Sequence, residues 1–248
     1  MKFLVTVLIS LLGVNAAEAA SCPKGEHWVG SHHRSAYYRY DGVFVSATEV
    51  TGHCRANPRG YDKWHSRLSN GRPSIWGYKG EKSKKWTVEE VERVFEALSA
   101  LPENILNQYV KNIYRMHKSI YEGNSATTNF DEVVLYDAAF EEKQNLARIL
   151  AHELAHIVYL NFPDSKRTSY EKDADWIGLD VGGGKTIIIP KHGRIFVEKD
   201  GELSPDEDFA NNIEFYLFEP ETLKKKSNAI YLWIQKTFGS DFKVVRKK

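Results

Sequence analysis

Apolar residues recur along the chain at two different periods. Val88, Val91, Phe95 and Leu98 fall three or four apart, the spacing that lines one face of a helix. Thr87-Val-Glu-Glu90 ahead of them has the form of a capping box, and Pro102 closes the pattern. A second helix is expected from about residue 138 to 160. Asp137 would cap it, Glu141 and Glu142 would lie in its first turn, and Leu146, Leu150, Leu154, Ile157 and Val158 would form its stripe. A third opens near Glu207. Its stripe of Phe209, Ile213, Tyr216 and Leu217 leaves Glu207, Asn211 and Glu214 together on the other side. Residues Asn112 to Lys118 and Glu132 to Tyr136 read as strands, the second running straight into the helix after it.

Before residue 60 the pattern shortens. Ala36-Tyr-Tyr-Arg-Tyr40, then Asp41-Gly42, then Val43-Phe-Val45 reads as a hairpin, and residues 20–59 as a small β module. Residues 60–86 are rich in Gly, Pro, Ser, Lys and Trp without periodicity. They are expected to be a linker packed on the next unit through Trp64, Trp76 and Trp86. The main domain then covers 87–248, and the fold class is α+β. No internal repeat or low-complexity segment is present in the sequence.

Composition narrows the classes of partner. Lys and Arg number 34 against 33 Asp and Glu, a formal net charge of +1, so no whole-molecule field favours nucleic acid or an acidic membrane. Residues 1–19 join a cationic start, the apolar run Phe3 to Val14 and Ala17-Glu-Ala19, the form of a signal peptide. That run is too short to span a bilayer, which takes about 20 apolar residues, and no transmembrane span is expected elsewhere. The chain is therefore expected to be exported, periplasmic or secreted. Its only two cysteines, Cys22 and Cys54, would pair in an oxidising compartment. Lipid modification of Cys22 is disfavoured, because Ala19-Ala-Ser21 lacks the bulky aliphatic residue expected three places ahead. The stretch from His27 to Arg55 resembles short modules near the N-termini of exported bacterial proteins, which implies a bacterial source, and the cell envelope is the partner considered for this basic, aromatic module. Its histidines in Ser31-His-His-Arg34 and Gly52-His-Cys-Arg55 read as a solvated strand face rather than a second metal site.

The candidate chemistry lies in His152-Glu-Leu-Ala-His156. At about 100° per residue, His156 sits about 40° from His152, and Glu153 about 60° beyond it. Two imidazoles one turn apart can ligate one ion, while the carboxylate beside them reaches an attacking water. This pattern points to one catalytic Zn2+, held by His152 and His156, with Glu153 as general base. A catalytic zinc takes three protein ligands. Tyr159 and Phe162 stand where a metzincin would place glycine and histidine, so a carboxylate is expected as the third. Glu171 with Asp175 and Glu207 with Asn211 share a one-turn spacing that would put a ligand beside a supporting partner. Glu171 follows His156 by only fifteen residues, which favours Glu207. Against Glu207, Ser204-Pro-Asp-Glu207 could be a capping box whose carboxylate only bonds back to the Ser204 amide. Spacing alone leaves the two open.

His152-Glu-Leu-Ala-His156 followed by Leu203-Ser-Pro-Asp-Glu-Asp-Phe-Ala-Asn211 resembles the gluzincin catalytic domain of anthrax lethal factor and its bacterial relatives. The resemblance covers roughly residues 87–238, specific at the two motifs and loose between them. It implies a zincin-like metallopeptidase domain with Glu207 as the third zinc ligand and a protein or peptide substrate. It departs at one place: the family has a tyrosine shortly before the third ligand, and Glu198-Lys-Asp-Gly-Glu202 has none. Tyr170, His192 and Tyr216 are the substitutes considered for that oxyanion helper. The strand at Val133 to Tyr136 is expected to be the cleft edge that pairs with an extended substrate. The competing functions are a non-catalytic, zinc-stabilised envelope-binding protein and a hydrolase of peptidoglycan amides.

Overall fold

A computed structural model of the chain describes residues 21–74, 83–103 and 108–245. Residues 1–19, expected to be a signal peptide, and Trp76 lie outside the described residues. Six short strands open the fold: β1 (Glu26–Val29), β2 (His32–Arg34), β3 (Tyr37–Tyr38), β4 (Phe44–Val45), β5 (Thr48–Val50) and β6 (His53–Ala56). They pair antiparallel as β1 with β6, β2 with β5 and β3 with β4. The register carries through without a slip: Val29 faces His53, His32 faces Val50 and Tyr37 faces Val45. The module is thus one long, interrupted hairpin. Its tip is the expected Asp41-Gly42 turn, where Gly42 takes φ of 78°, a conformation that costs a residue without Cβ little. A disulfide joins Cys22 to Cys54 near the base.

Next come α1 (Tyr61–His65), β7 (Leu68–Ser69) and α2 (Val88–Ala100). The expected capping box is formed: Thr87 Oγ1 accepts from the Glu90 amide, and the Glu90 carboxylate accepts from the Thr87 amide. One face of α2 presents Glu89, Glu92 and Glu96 to the N-terminal hairpin. Ser35 bonds Glu89, His27 and Arg55 bond Glu92, and Tyr37 bonds Glu96. The hairpin is docked along a helix, not tethered away from it.

The main sheet has the order β7-β8-β10-β9, with β8 (Asn112–Arg115), β9 (Ala126–Asn129) and β10 (Glu132–Leu135). β8 runs parallel to β7 and to β10, and β9 closes the sheet antiparallel to β10. The stretch 60–86 therefore supplies a strand of this sheet, and Trp64 is buried in the core. β10 lies inside the sheet with all four residues buried, as its unbroken Glu-Val-Val-Leu run of inward residues requires. The cleft-edge strand is accordingly β9, one strand away from the segment expected from sequence.

A 3-10 turn at Asp137–Phe140 precedes α3 (Leu146–Leu160). The helix expected from about 138 starts eight residues later. Asn145 caps it through Arg148, while the Asp137 carboxylate is taken by Lys84 and Arg115. Glu141 is extended and ends the turn, so neither Glu141 nor Glu142 stands in a helical first turn. α4 (Asp164–Asp173), the hairpin β11 (Trp176–Asp180) with β12 (Thr186–Pro190), a 3-10 turn at Lys199–Glu202, α5 (Pro205–Phe218), α6 (Pro220–Lys226) and α7 (Asn228–Phe238) complete the chain. α3 packs against α5, α2 and the strands β9 and β10 of the sheet. Phe209 of α5 is fully buried among Tyr159, Phe162, Tyr170 and Trp233. No described helix is long and apolar enough to cross a membrane.

Candidate metal centre

Leu146, Leu150, Leu154, Ile157 and Val158 bury α3 on several sides, and the polar residues His152, Glu153 and His156 emerge on the face that meets a cavity of about 670 Å³. The three ligand atoms form a tight triangle. His152 Nε2 and His156 Nε2 lie 3.1 Å apart, and each is 3.5 Å from Glu207 Oε2. An ion bound tetrahedrally at the ~2.0–2.1 Å usual for zinc separates its ligand atoms by about 3.3–3.4 Å. The observed edges bracket that value, so the donor set fits zinc in both chemistry and size. Among the described residues these three form the one group of metal-ligating side chains so placed.

α5 delivers Glu207 from its first turn. Ser204 caps the helix and Pro205 begins it, with Ser204 Oγ accepting from the Glu207 amide at 3.1 Å. The capping box stops at that half. The Glu207 carboxylate faces the two histidines instead of returning to the Ser204 amide. Behind it, buried Asp208 anchors the turn by accepting from Tyr170, Trp176, Arg194 and Asn212.

Each histidine has a carboxylate on its outer nitrogen. Asp206 Oδ1 is 2.9 Å from His156 Nδ1, and Glu214 Oε2 is 3.6 Å from His152 Nδ1. Carboxylates near the outer nitrogen of a histidine favour the tautomer that leaves the other nitrogen free to ligate. Arg148 in turn holds Glu214 through Nε at 2.5 Å. Burial alone would depress both imidazoles. Contacts to Glu207 and Glu214 outweigh it and raise His152 to about 9, and contacts to Asp206 and Glu207 raise His156 to about 10. The two histidines hold the Glu207 carboxyl far below the usual range. Metal ligation requires neutral imidazoles and an ionised carboxylate, so ion binding at this cluster would release protons.

The other sequence candidates go elsewhere. Glu171 accepts from the Tyr159 hydroxyl at 2.8 Å, and Asp175 pairs with Lys191. Asn211 donates to Asp200, not to Glu207. Tyr170 is committed to Asp208 and Asn212, and Tyr216 packs on Tyr231 and Phe242. Neither tyrosine nor His192 lines the metal cavity, whereas Tyr121 does. In the N-terminal module His27 bonds Asn57 and Glu92, His33 bonds Glu49, and His32 and His53 bond backbone carbonyls. Asp206, Thr128 and the part played by Glu214 went unread from sequence. The signals were adjacency for Asp206 and two helical turns for Glu214; for Thr128 there was none. No protein-family model matches the chain, and comparison with curated proteins and with solved structures gave no match.

Proposed function

We propose that this chain is an exported zinc-dependent metallopeptidase of the gluzincin type, with a zincin-like catalytic domain. One observation carries the reading. Two imidazole nitrogens and a carboxylate oxygen stand 3.1–3.5 Å apart, and Glu153 lines the same cavity. His152, His156 and Glu207 would hold the ion. Bound there, zinc supplies Lewis acidity toward water and toward a substrate carbonyl. Glu153 takes the proton of the attacking water and returns it to the leaving amine, the two transfers that hydrolysis of an amide needs. Asp206 and Glu214, near the outer nitrogens of His156 and His152, would favour the tautomers that leave Nε2 free for the ion. β9, as the edge strand beside the cavity, offers backbone groups to an extended peptide. Residues Thr127 and Thr128 of that strand line the cavity with Glu153.

The Cys22–Cys54 bridge supports an oxidising, extracytoplasmic location. The N-terminal hairpin keeps Tyr38, Val43 and Phe44 exposed at its tip, a surface suited to the envelope contact. The test is zinc content per chain in wild type, Glu207→Ala and Glu171→Ala, followed by hydrolysis of protein and of cell-wall fragments side by side. The proposal expects about one zinc, lost only with Glu207→Ala, and protein cleavage abolished by Glu153→Gln with zinc retained. A wild type that takes up no zinc on reconstitution would return the chain to the non-catalytic class, and cleavage of cell-wall amides alone would change the substrate.

A further inference from the structure

β9 ends the sheet beside the cavity, and Thr128 stands in the strand opposite Val133 of β10. Its side chain reaches α3. Thr128 Oγ1 lies 2.6 Å from Glu153 Oε2 and 3.1 Å from the Glu153 backbone oxygen. The shorter contact falls in the range of a charge-assisted O–H···O⁻ bond. Among the described residues no other group hydrogen-bonds the Glu153 carboxylate.

A glutamate side chain has three rotatable bonds, and its carboxylate swings unless something holds it. Thr128 supplies the hold from a well-placed origin: a strand residue whose β-branched side chain has few rotamers. It occupies Oε2 and leaves Oε1 for the proton of an attacking water. We infer that Thr128 is a positioning residue, whose hydroxyl fixes the orientation of the Glu153 carboxylate at the metal cluster. Its kinetic consequence rests on the peptidase reading above, but its geometric consequence does not. The same bond ties the edge strand to the base. Substrate laid along β9 and the group that activates water are therefore placed relative to one another by a single side chain.

The experiment compares zinc-loaded wild type, Thr128→Val and Thr128→Ser by crystallography, zinc content and steady-state kinetics. Valine keeps the branched shape without the hydroxyl, and serine keeps the hydroxyl without the branch. All three are expected to hold zinc equally. In wild type and Thr128→Ser the Glu153 carboxylate should lie against the hydroxyl; in Thr128→Val it should turn away or spread over several rotamers. Loss of one hydrogen bond to a charged group predicts a fall in kcat of about 10- to 100-fold for Thr128→Val, with KM within about threefold, and near-wild-type values for Thr128→Ser. A Glu153 carboxylate that stays in its wild-type position in Thr128→Val overturns the inference, as does a serine variant that restores neither position nor rate. Should Thr128→Val fail to fold, Thr128→Ala is read in the same way. A wild type that binds zinc but cleaves no peptide removes the peptidase reading alone, and the crystallographic comparison still decides the role of Thr128.

Discussion

Replacing Asp206 by Asn tests the centre without touching a ligand. Asp206 Oδ1 lies 2.9 Å from His156 Nδ1, an ion-pair distance, and its side chain is 30% exposed. Carboxylates in this position are worth about 10–100-fold in metal affinity, and partial exposure places Asp206 toward the lower end, about 10- to 30-fold or roughly 1.4–2 kcal/mol. Glu214 serves as the internal comparison. It stands 3.6 Å from His152 Nδ1, beyond hydrogen-bond range, and its other oxygen is occupied by Arg148. Glu214→Gln should therefore cost less, about threefold. Both replacements are close to isosteric, so circular dichroism and thermal melts should show a folded chain. Competition against a chromophoric chelator at fixed pH reads the two affinities directly. Asp206→Asn binding zinc within twofold of wild type, or Glu214→Gln proving the more damaging, would show that these carboxylates do not orient the imidazoles.

Three further outcomes are expected. Cys22→Ser with Cys54→Ser opens a loop with a sequence separation of 32, for which chain entropy gives a loss of about 3–4 kcal/mol in urea unfolding; an unchanged midpoint would mean that docking on α2 already restrains the hairpin. Phe209→Ala should cost about 3–5 kcal/mol, because a fully buried ring is removed from an aromatic cluster, and zinc retention should fall with it, since Phe209 lies two residues from Glu207. Glu90→Gln should destabilise the chain by about 1–3 kcal/mol at pH 7, because Arg115 is only 1% exposed and loses one of its two carboxylates. The pH dependence has a definite sign. Burial would raise the Glu90 carboxyl, but the Thr87 amide and Arg115 lower it below its ordinary value. Its contribution is thus complete above the unfolded carboxylate pKa and disappears as pH falls through the folded one. Melts of wild type and Glu90→Gln should converge in acid, and a gap that widened there would refute the assignment.

What could be read from sequence follows the range of each interaction. The capping box at Thr87 and the turn at Asp41-Gly42 depend on neighbours within four residues, and both stand as expected. The two histidines and Glu153 depend on one helix, and they too share a face. The start of α3 was misplaced because Asp137 is a competent cap locally but is drawn off by Lys84 and Arg115. Neither partner is near it in sequence. The edge strand was misassigned for a similar reason: Val133 to Tyr136 has strand character, yet strand order depends on how β8 and β9 close around it.

The choice between Glu171 and Glu207 shows the limit most clearly. Connection length argues against Glu171, but α4 follows α3 after a connection of three residues and still folds back far enough for Glu171 to reach Tyr159. A short connection did not keep that carboxylate away from α3. Direction did, since the Tyr159 hydroxyl captures it outside the histidine triangle. Glu207 reaches the metal face because Asp208, its neighbour, is clamped by Tyr170, Trp176, Arg194 and Asn212, and because Phe209 is sunk in the aromatic cluster beside α3. With those two residues facing inward, Asp206 and Glu207 are left pointing at His156 and His152. The position of Glu207 is therefore set by the packing of the residues that follow it, and substitutions at Asp208 or Phe209 are expected to impair zinc uptake even though neither belongs to the histidine–carboxylate triangle.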